Sequence, residues 1–330
     1  MKYRFLGKTG IQVSALCFGT MTFGSEADKN ESKAMFDLCR ETGINFFDCA
    51  NKYSDGRAEQ ILGECIQTCR HDVVITTKAT SQVGPGVNEL GSSPKHLMIE
   101  MEKSLNRLQT DYIDIYFIHY FDAATSIENT FRFLETAIRQ GKILHIGVSN
   151  WAAWQIMKCL SISQRHRIPS IDCIQPMYSL IKRQAEVEIL PMAQDQQLGV
   201  ISYSPLGAGV LTGKYSTMKS SEPARLFEKD YYYKRYQDKH FFETADQFVK
   251  LADLLGYAPV PLAICWAMTH PAVTAPIIGA RNMDQLKMSL KAIDINMTPD
   301  LRQQVSSVSP SPPPAHDRLE EGFDPKYTLR

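Results

Sequence analysis

Short apolar runs recur along the chain and alternate with longer segments that have the spacing of amphipathic helices. In Pro94–Leu108 the apolar residues fall on one helical face, and Ile127–Gln140 is followed by Gly141, a typical helix stop. The alternation predicts a parallel sheet covered by helices. Eight runs have the length of buried strands: Ala15–Phe18, Ile44–Phe47, Val73–Thr76, Tyr112–Ile118, Leu144–Val148, Ile171–Ile174, Gly199–Tyr203 and Thr274–Ile277.

Eight strand–helix units favour a closed barrel over a doubly wound sheet. No GxGxxG sequence follows a candidate strand, as a doubly wound dinucleotide-binding sheet would require. Gly207–Lys214 has the wrong glycine spacing for a P-loop, and Tyr215 stands where Ser or Thr is needed. We therefore predict an α/β fold, a single (β/α)8 TIM barrel, with the N-terminal segment Tyr3–Val13 forming a β-hairpin cap.

Two segments interrupt the alternation. Ser216–His240 is polar and rich in tyrosine, and we expect residues 216–240 to form a lid loop over cofactor or substrate. The proline-rich run Ser309–His316 opens a C-terminal tail, residues 309–330. Neither segment contains a repeat or has the composition of a linker, so residues 1–330 are predicted to form one domain.

Composition excludes several classes of protein. Lys+Arg and Asp+Glu both number 36, so no net charge attracts nucleic acid or an acidic membrane surface. No apolar stretch is long enough to span a bilayer, and Met1–Gly10 lacks the features of a secretory signal, so we expect a cytoplasmic protein. The 8 cysteines form no CxxC pair, which favours reduced core thiols over disulfides or a zinc site.

Polar residues follow the predicted strands, where barrel enzymes build their active sites. Each one alone has a structural explanation, because polar residues end strands in many proteins. All eight strand ends together indicate a functional site. The residues concerned are Gly19, Thr20, Met21, Asp48, Lys78, His119, Ser149, Asn150, Gln175, Tyr203, Ser204, Gly279 and Arg281.

Asp48, Tyr53, Lys78 and His119 together suit proton transfer to a carbonyl. A free tyrosine has a pKa of about 10, so its phenol is protonated at neutral pH. We expect the Lys78 cation to lower the pKa of Tyr53 and to stabilise the tyrosinate, while Asp48 holds the lysine. His119 could be a core histidine, a metal ligand or a contact for a substrate oxygen. A metal is least favoured, because the set contains lysine and tyrosine rather than further typical ligands.

These residues, in this order, resemble the aldo-keto reductase superfamily from Leu6 to about Leu290. The branch that the chain resembles most contains the bacterial general reductases and the potassium-channel β subunits. The motifs that carry the resemblance are Leu6–Ser14, Phe18–Met21, Asn45–Asp48, Asn51–Tyr53, Thr77–Lys78, Asp111–Asp114 with His119, Gly141–Lys142, Ile146–Asn150, Gln175, Tyr203–Leu206, Gly213–Tyr215, Ile278–Arg281 and Gln285.

The resemblance implies a catalytic tetrad of Asp48, Tyr53, Lys78 and His119, with Tyr53 as general acid and His119 orienting the carbonyl. It also implies an NADPH/NADP cofactor. The implied cofactor contacts are Ser149, Asn150 and Gln175 to the carboxamide, Tyr203 stacked on the nicotinamide, Ser204, Pro205, Leu206 and Gly209 with Lys214 around the pyrophosphate, Arg281 and Gln285 at the adenosine, and Gly19, Thr20, Met21, Asp48 and Gly279 at the remaining strand ends.

The sequence departs from the pattern of these relatives in two places. Met288 and Ser289 replace a common Glu-Asn pair after Gln285, which affects the expected adenine contacts. The residues after His119, Tyr120–Asp122, replace the usual Trp-Pro or Arg-Pro sequence, so substrate preference does not carry over.

The function predicted on this basis is NADPH-dependent reduction of a small aldehyde or ketone to an alcohol, without a metal. The alternative is an NADPH-binding regulatory subunit that acts by docking to another protein, with little turnover. A third reading, a metal-dependent barrel hydrolase, requires activity that chelators abolish. The sequence identifies neither the physiological substrate nor a protein partner.

Overall fold

Eight parallel strands close into a barrel in the computed structural model, which describes residues 1–215, 226 and 230–317. The strand order around the barrel is β10-β3-β4-β5-β6-β7-β8-β9, and β1 and β2 form a separate antiparallel hairpin. The predicted (β/α)8 barrel with an N-terminal hairpin is confirmed. The strands are β1 Tyr3–Phe5, β2 Gln12–Ser14, β3 Cys17–Gly19, β4 Phe46–Asp48, β5 Val74–Ala79, β6 Ile113–Ile118, β7 Ile143–Ser149, β8 Cys173–Gln175, β9 Gly199–Ser202 and β10 Ala275–Ile278.

The helices surround the barrel, and several begin at a side chain that accepts a hydrogen bond from the first turn. Asp28 caps α1 in this way, Ser93 caps α3 and Thr298 caps α11. The described helices are α1 Lys29–Glu41, α2 Arg57–Ile66, α3 Pro94–Leu108, α4 Ile127–Arg139, α5 Ala153–His166, α6 Ile189–Asp195, α7 Asp230–Tyr236, α8 Lys239–Leu254, α9 Pro259–Met268, α10 Met283–Leu290 and α11 Pro299–Ser307.

Several strands extend further toward their carboxyl ends than the apolar runs predicted. The largest difference is in β5, whose predicted run ended at Thr76 but which continues to Ala79. Thr77 and Lys78 are polar, yet both are buried and pair in register with Tyr116 and Phe117 of β6. When strands are predicted from apolar residues alone, the predicted strand ends before the polar residues that continue it. In β5 these are the candidate site residue Lys78 and its neighbour Thr77.

The hairpin closes the amino-terminal end of the barrel. Leu6 is fully buried against the backbone of Gly199, where a β-carbon would lie 2.4 Å from Leu6 Cδ1. Arg4 donates through Nη1 to the carbonyl oxygens of Met268, Val273 and Thr274, at 2.8, 2.9 and 3.1 Å. The hairpin does not cover the carboxyl end of the barrel, where the candidate site residues lie.

The segment predicted as a lid loop, residues 216–240, lies partly outside the described residues, which omit 216–225 and 227–229. Its described part is largely helical rather than loop, because α7 covers 230–236 and α8 begins at Lys239. Tyr232 and Tyr236, one helical turn apart, are both buried. Tyr232 and Tyr236 therefore pack α7 against the core, whereas Tyr231 and Tyr233 on the same helix are exposed.

The described part of the C-terminal tail, residues 309–317, contains no helix or strand, and residues 318–330 lie outside the described residues. Ser309 Oγ donates to the carbonyl oxygen of Leu180 at 2.5 Å. Within the described part of the chain, no single helix has the length and apolarity to cross a membrane; the pair α8 and α9, bent by 103°, meets the test only when taken together.

Candidate active site

Lys78 lies at the centre of the candidate site and bonds to three groups. Its Nζ atom donates to Asp48 Oδ2 at 2.6 Å, to the Cys49 carbonyl at 2.7 Å and to Tyr53 Oη at 3.3 Å. Strand pairing explains the arrangement, because Asp48 at the end of β4 pairs with Thr76 of β5, and Lys78 follows Thr76 on the same face. The structure thus brings together three residues that were predicted as a set.

Asp48 is held by two further side chains. Its Oδ1 atom accepts hydrogen bonds from Thr76 Oγ1 at 2.6 Å and from Gln175 Nε2 at 2.8 Å. The Asp48–Lys78 pair is buried, and a buried ion pair is tolerated when hydrogen bonds satisfy its remaining atoms. Sequence reasoning did not assign a role to Thr76, although its position two residues before Lys78 placed it on the same face of the strand.

Tyr53 begins a tight turn in which the next residues, Ser54 and Asp55, have φ values of 49° and 54°. Burial raises the pKa of the Tyr53 phenol well above its ordinary value, and the negative charge of Asp48 raises it further. The pKa of Tyr53 therefore lies above its ordinary value, where the sequence had led us to expect a lowered one, because burial and the Asp48 charge dominate. Tyr53 is therefore protonated throughout the neutral pH range.

His119 follows β6 and faces the same space as Tyr53. The two rings are nearly perpendicular, with centroids 6.3 Å apart. Burial lowers the pKa of His119 to about 3, and the Lys78 cation contributes in the same direction. The imidazole is thus neutral at physiological pH, which suits a hydrogen bond to a substrate oxygen. On its other side, His119 stacks on Tyr120 at 4.5 Å.

The residues predicted to hold a carboxamide form one network. Asn150 donates through Nδ2 to Ser149 Oγ and to the His119 carbonyl, both at 3.0 Å, and accepts from Tyr203 Oη at 2.7 Å. Ser149 Oγ donates to the Gln175 carbonyl at 2.9 Å. Because Gln175 also bonds Asp48, this network is joined directly to the buried ion pair. Burial raises the pKa of Tyr203 to about 12, so its phenol is a neutral donor.

The segment predicted to wrap a pyrophosphate is a strongly curved loop. Ser204, Ala208 and Gly209 have φ values of 59°, 56° and 89°. The φ of Gly209 is one that glycine adopts without strain, and a β-carbon there would lie 3.2 Å from Lys214 Cε and 3.3 Å from Lys214 Nζ, so the lysine side chain lies against the loop. Curved backbone of this type with a nearby cation is typical of anion-binding loops. Pro205 and Leu206 lie within the same loop.

The ends of β3 and β10 are adjacent and leave room for a ligand. A β-carbon built on Gly279 meets only Gly19 O, at 3.9 Å. Thr20 donates to the Asp48 carbonyl through both its backbone nitrogen, at 2.9 Å, and its Oγ1 atom, at 3.0 Å. Thr20 therefore fixes the end of β4, and Met21 beside it is partly buried.

Arg281 and Gln285 lie together after β10, as predicted. The Arg281 backbone nitrogen donates to Gln285 Oε1 at 3.0 Å, and Arg281 Nη2 lies 3.9 Å from Glu26 Oε1. Sequence reasoning missed Glu26, since nothing in the pattern linked the loop after β3 to the end of β10. Ser289, one of the two departures from the family pattern, is buried and donates to the Gln285 carbonyl at 3.0 Å, within its own helix.

Comparison with known proteins identifies the family. Residues 15–309 match the sequence model of the Aldo/keto reductase family. The chain belongs to this family. Among the relatives of this aldo/keto reductase, an uncharacterized oxidoreductase, YrpG, of Bacillus subtilis is 35% identical over 94% of this chain and 97% of its own length. A probable voltage-gated potassium channel subunit beta of Arabidopsis thaliana is 36% identical over 95% and 98%. A putative channel subunit beta of Schizosaccharomyces pombe is 30% identical over 93% and 92%.

Aldo/keto reductases generally use a nicotinamide cofactor, and the residues present fit one. The open space at Gly279, the curved loop beside Lys214 and the amide groups of Asn150 and Gln175 lie at the same carboxyl end of the barrel. In the described ranges, no group of three or more His, Cys, Asp and Glu side chains is arranged to hold a metal ion.

Proposed function

We propose that this aldo/keto reductase reduces an aldehyde or ketone to the corresponding alcohol with NADPH, and that Tyr53 is the general acid. The observation that carries the proposal is the contact between Tyr53 Oη and Lys78 Nζ at 3.3 Å, with Lys78 bonded in turn to Asp48. A protonated phenol beside a buried cation is suited to donate a proton to a carbonyl oxygen.

The cofactor, when bound, supplies the hydride that the carbonyl carbon gains. The carbonyl oxygen takes the proton of Tyr53, and the phenol becomes a tyrosinate. This developing negative charge lies beside the Lys78 ammonium, which stabilises it most where water is excluded. Asp48, which is itself held by Thr76 and Gln175, holds the lysine in place, so Lys78 does not need to reorient as the charge forms.

His119 is proposed to orient the substrate. With a pKa lowered to about 3, the imidazole stays neutral and can donate one hydrogen bond to the carbonyl oxygen without competing for the proton. Tyr53 and His119 would then both form hydrogen bonds to the same carbonyl oxygen, and their rings are nearly perpendicular to each other. This arrangement fixes the direction from which the carbonyl approaches.

We propose that the cofactor is held by the residues predicted from the sequence. Ser149, Asn150 and Gln175 would bond the carboxamide, and Tyr203 would cover the nicotinamide. The loop Ser204–Gly209 with Lys214 would hold the pyrophosphate, and Arg281 with Gln285 the adenosine end. The charges support this assignment, since Lys214 beside the curved loop and Arg281 after β10 are cations suited to bind phosphate groups.

A second candidate is a regulatory subunit that binds NADPH with little turnover. It is favoured by the similarity to proteins named as potassium channel β subunits over almost the whole chain. The buried Asp48–Lys78 pair beside Tyr53 favours turnover, because buried titratable groups of this kind cluster at catalytic sites, but it is compatible with both candidates.

The two candidates differ in steady-state NADPH consumption. The purified chain is incubated with NADPH and a panel of aldehydes, keto sugars and quinones, and NADPH affinity is measured separately by fluorescence. We expect sustained consumption with at least one carbonyl class and formation of the alcohol. Tight NADPH binding without turnover across the panel would favour the regulatory subunit, and absence of NADPH binding would overturn both.

A further inference from the structure

The turn that carries Tyr53 is held from outside the barrel by helix α3. Before Tyr53, Asn51 Nδ2 donates to Glu100 Oε2 of α3 at 2.7 Å. After Tyr53, Glu59 at the start of α2 accepts from Arg107 Nε of α3 at 2.6 Å. Both carboxylates are buried. The Tyr53 turn is thus attached to one helix at two points, one on each side of the catalytic tyrosine.

Glu59 also contacts the strand that carries Lys78. Its Oε1 atom accepts from Thr77 Oγ1 at 2.5 Å. Side chains alternate along a strand, so Lys78 faces the barrel interior while its neighbour Thr77 faces the helices. One buried carboxylate therefore bonds the residue next to Lys78 and lies six positions after Tyr53 in the sequence.

Close approach of the backbones makes this arrangement possible. A β-carbon on Gly63 of α2 would lie 2.5 Å from the Arg107 carbonyl oxygen, so the two helices cross in contact there. A β-carbon on Gly56 would lie 2.9 Å from Arg107 Cδ. The Arg107 side chain therefore packs directly against the turn that follows Tyr53.

The turn itself has a conformation that needs support. Ser54 and Asp55 both adopt left-handed backbone conformations, which are strained for residues other than glycine. Such conformations persist only where the surroundings enforce them. The bonds of Asn51 and Glu59 to α3 lie on either side of these two residues and provide that enforcement.

We propose that Glu59, with Arg107 and Thr77, is a positioning residue that holds Tyr53 Oη against Lys78 Nζ. This inference rests on the proposed role of Tyr53 as general acid. Proton transfer depends steeply on geometry, so a small shift of the turn lengthens the Tyr53–Lys78 contact and slows the chemical step. Substrate and cofactor binding, which involve other residues, should change little.

Glu59→Gln tests the proposal with little change in size. A carboxylate has two acceptor oxygens and an amide has one, so the substituted side chain cannot accept from Thr77 and Arg107 through two separate oxygens. Thr77→Val provides a second variant, which removes one bond and leaves the Glu59–Arg107 pair. Glu128→Gln is the matched control, because Glu128 pairs with Arg132 at 2.7 Å on α4.

We expect Glu59→Gln to lower kcat for carbonyl reduction by about tenfold, with KM and NADPH affinity within about twofold of the wild-type values. The solvent deuterium isotope effect on kcat should increase, since proton donation by Tyr53 becomes slower. Thr77→Val should change both quantities in the same direction by less, and Glu128→Gln should change neither.

A lower melting temperature for Glu59→Gln and Thr77→Val with unchanged kcat and isotope effect would overturn the inference and leave Glu59 a purely structural residue. The proposed function fails by a different result. If Tyr53→Phe retains wild-type turnover, Tyr53 is not the acid, whatever the Glu59 variants do.

Discussion

The Nζ atom of Lys78 lies 2.6 Å from the Oδ2 atom of Asp48, with 0% and 3% of the two side chains exposed. Removing one partner of such a pair leaves an uncompensated buried charge, which costs about 3–5 kcal/mol. Replacing both partners by neutral residues removes both buried charges together with the bond between them, so no unpaired charge remains. Variants at these two positions should therefore differ in their free energy of unfolding, although all of them lose turnover.

We predict that Lys78→Met lowers the free energy of unfolding by about 3–5 kcal/mol and abolishes turnover. The double variant Asp48→Asn, Lys78→Met should recover most of the stability and none of the turnover. Urea unfolding and NADPH consumption measure the two properties. Lys29→Met is the control, because the side chains of Lys29 and its partner Glu64 are both exposed, so the loss of this pair should cost under about 1 kcal/mol. Equal stability of Lys78→Met and wild type would contradict the prediction.

Tyr53→Phe is predicted to slow carbonyl reduction by about 10²- to 10⁴-fold, the usual contribution of a general acid. NADPH affinity should stay near the wild-type value, since the proton is needed in the transition state and not for holding cofactor. Tyr116→Phe is a matched control: Tyr116 is fully buried on the outer face of β6, and its hydroxyl has no hydrogen-bond partner in the part of the chain that the structure describes. Its turnover should not change.

Stability is predicted to fall as the pH drops below about 6.5, the ordinary pKa of histidine. Burial lowers the pKa of His119 to about 3 and that of His270 to about 4. Between these values and 6.5 the unfolded chain binds protons that the folded chain does not, so the free energy of unfolding rises with pH there and levels off above 6.5.

Thermal unfolding at several pH values between about 5 and 8 checks this dependence. His119→Gln should weaken it, because one of the histidines with a lowered pKa is removed. The pH profile of kcat should show no acidic limb near 6.5, since His119 does not titrate there. A limb at that pH that disappears in His119→Gln would show that the imidazole takes up a proton during turnover.

The barrel could be predicted from the sequence because each strand is a short apolar run and the helices keep a regular spacing. The main error in strand length occurred in β5, where Thr77 and Lys78 continue the ladder although both are polar. Their burial depends on partners far away in the sequence, Glu59 and Asp48, which no local pattern identifies. Strand ends at a functional site are therefore hard to place from hydrophobicity alone.

The grouping of Asp48, Lys78 and His119 could be predicted because all barrel strands point their carboxyl ends the same way, and Tyr53 follows β4 by a short turn. The electrostatics of the tetrad could not be predicted. A nearby lysine was expected to lower the pKa of Tyr53, but burial and the charge of Asp48 raise it. The sequence shows which charges are present, whereas the sign of a pKa shift depends on desolvation and on which partner already holds the cation. Glu26 and Arg107 were missed because their contacts, with Arg281 and Glu59, join segments that are distant in the sequence.

Arg281 is the residue that we expect to determine the choice of cofactor. We propose that the Arg281 guanidinium binds the 2′-phosphate of NADPH, since its fork of donors matches phosphate oxygens. A charge-assisted hydrogen bond contributes roughly 1.5–3 kcal/mol, so Arg281→Ala should weaken NADPH binding by about tenfold to a hundredfold. NADH lacks the 2′-phosphate, so its affinity should barely change.

Glu26 supplies an opposite test of the same assignment. Its Oε1 atom lies 3.9 Å from Arg281 Nη2, and a carboxylate so placed both competes for the guanidinium and repels a phosphate. Glu26→Gln should therefore tighten NADPH binding by a few-fold and leave NADH unchanged. Fluorescence titration of both variants with both cofactors gives four comparisons. Equal changes for NADPH and NADH in Arg281→Ala would mean that Arg281 supports the fold of this end of the site, for example through its backbone bond to Gln285, and that another residue selects the phosphate.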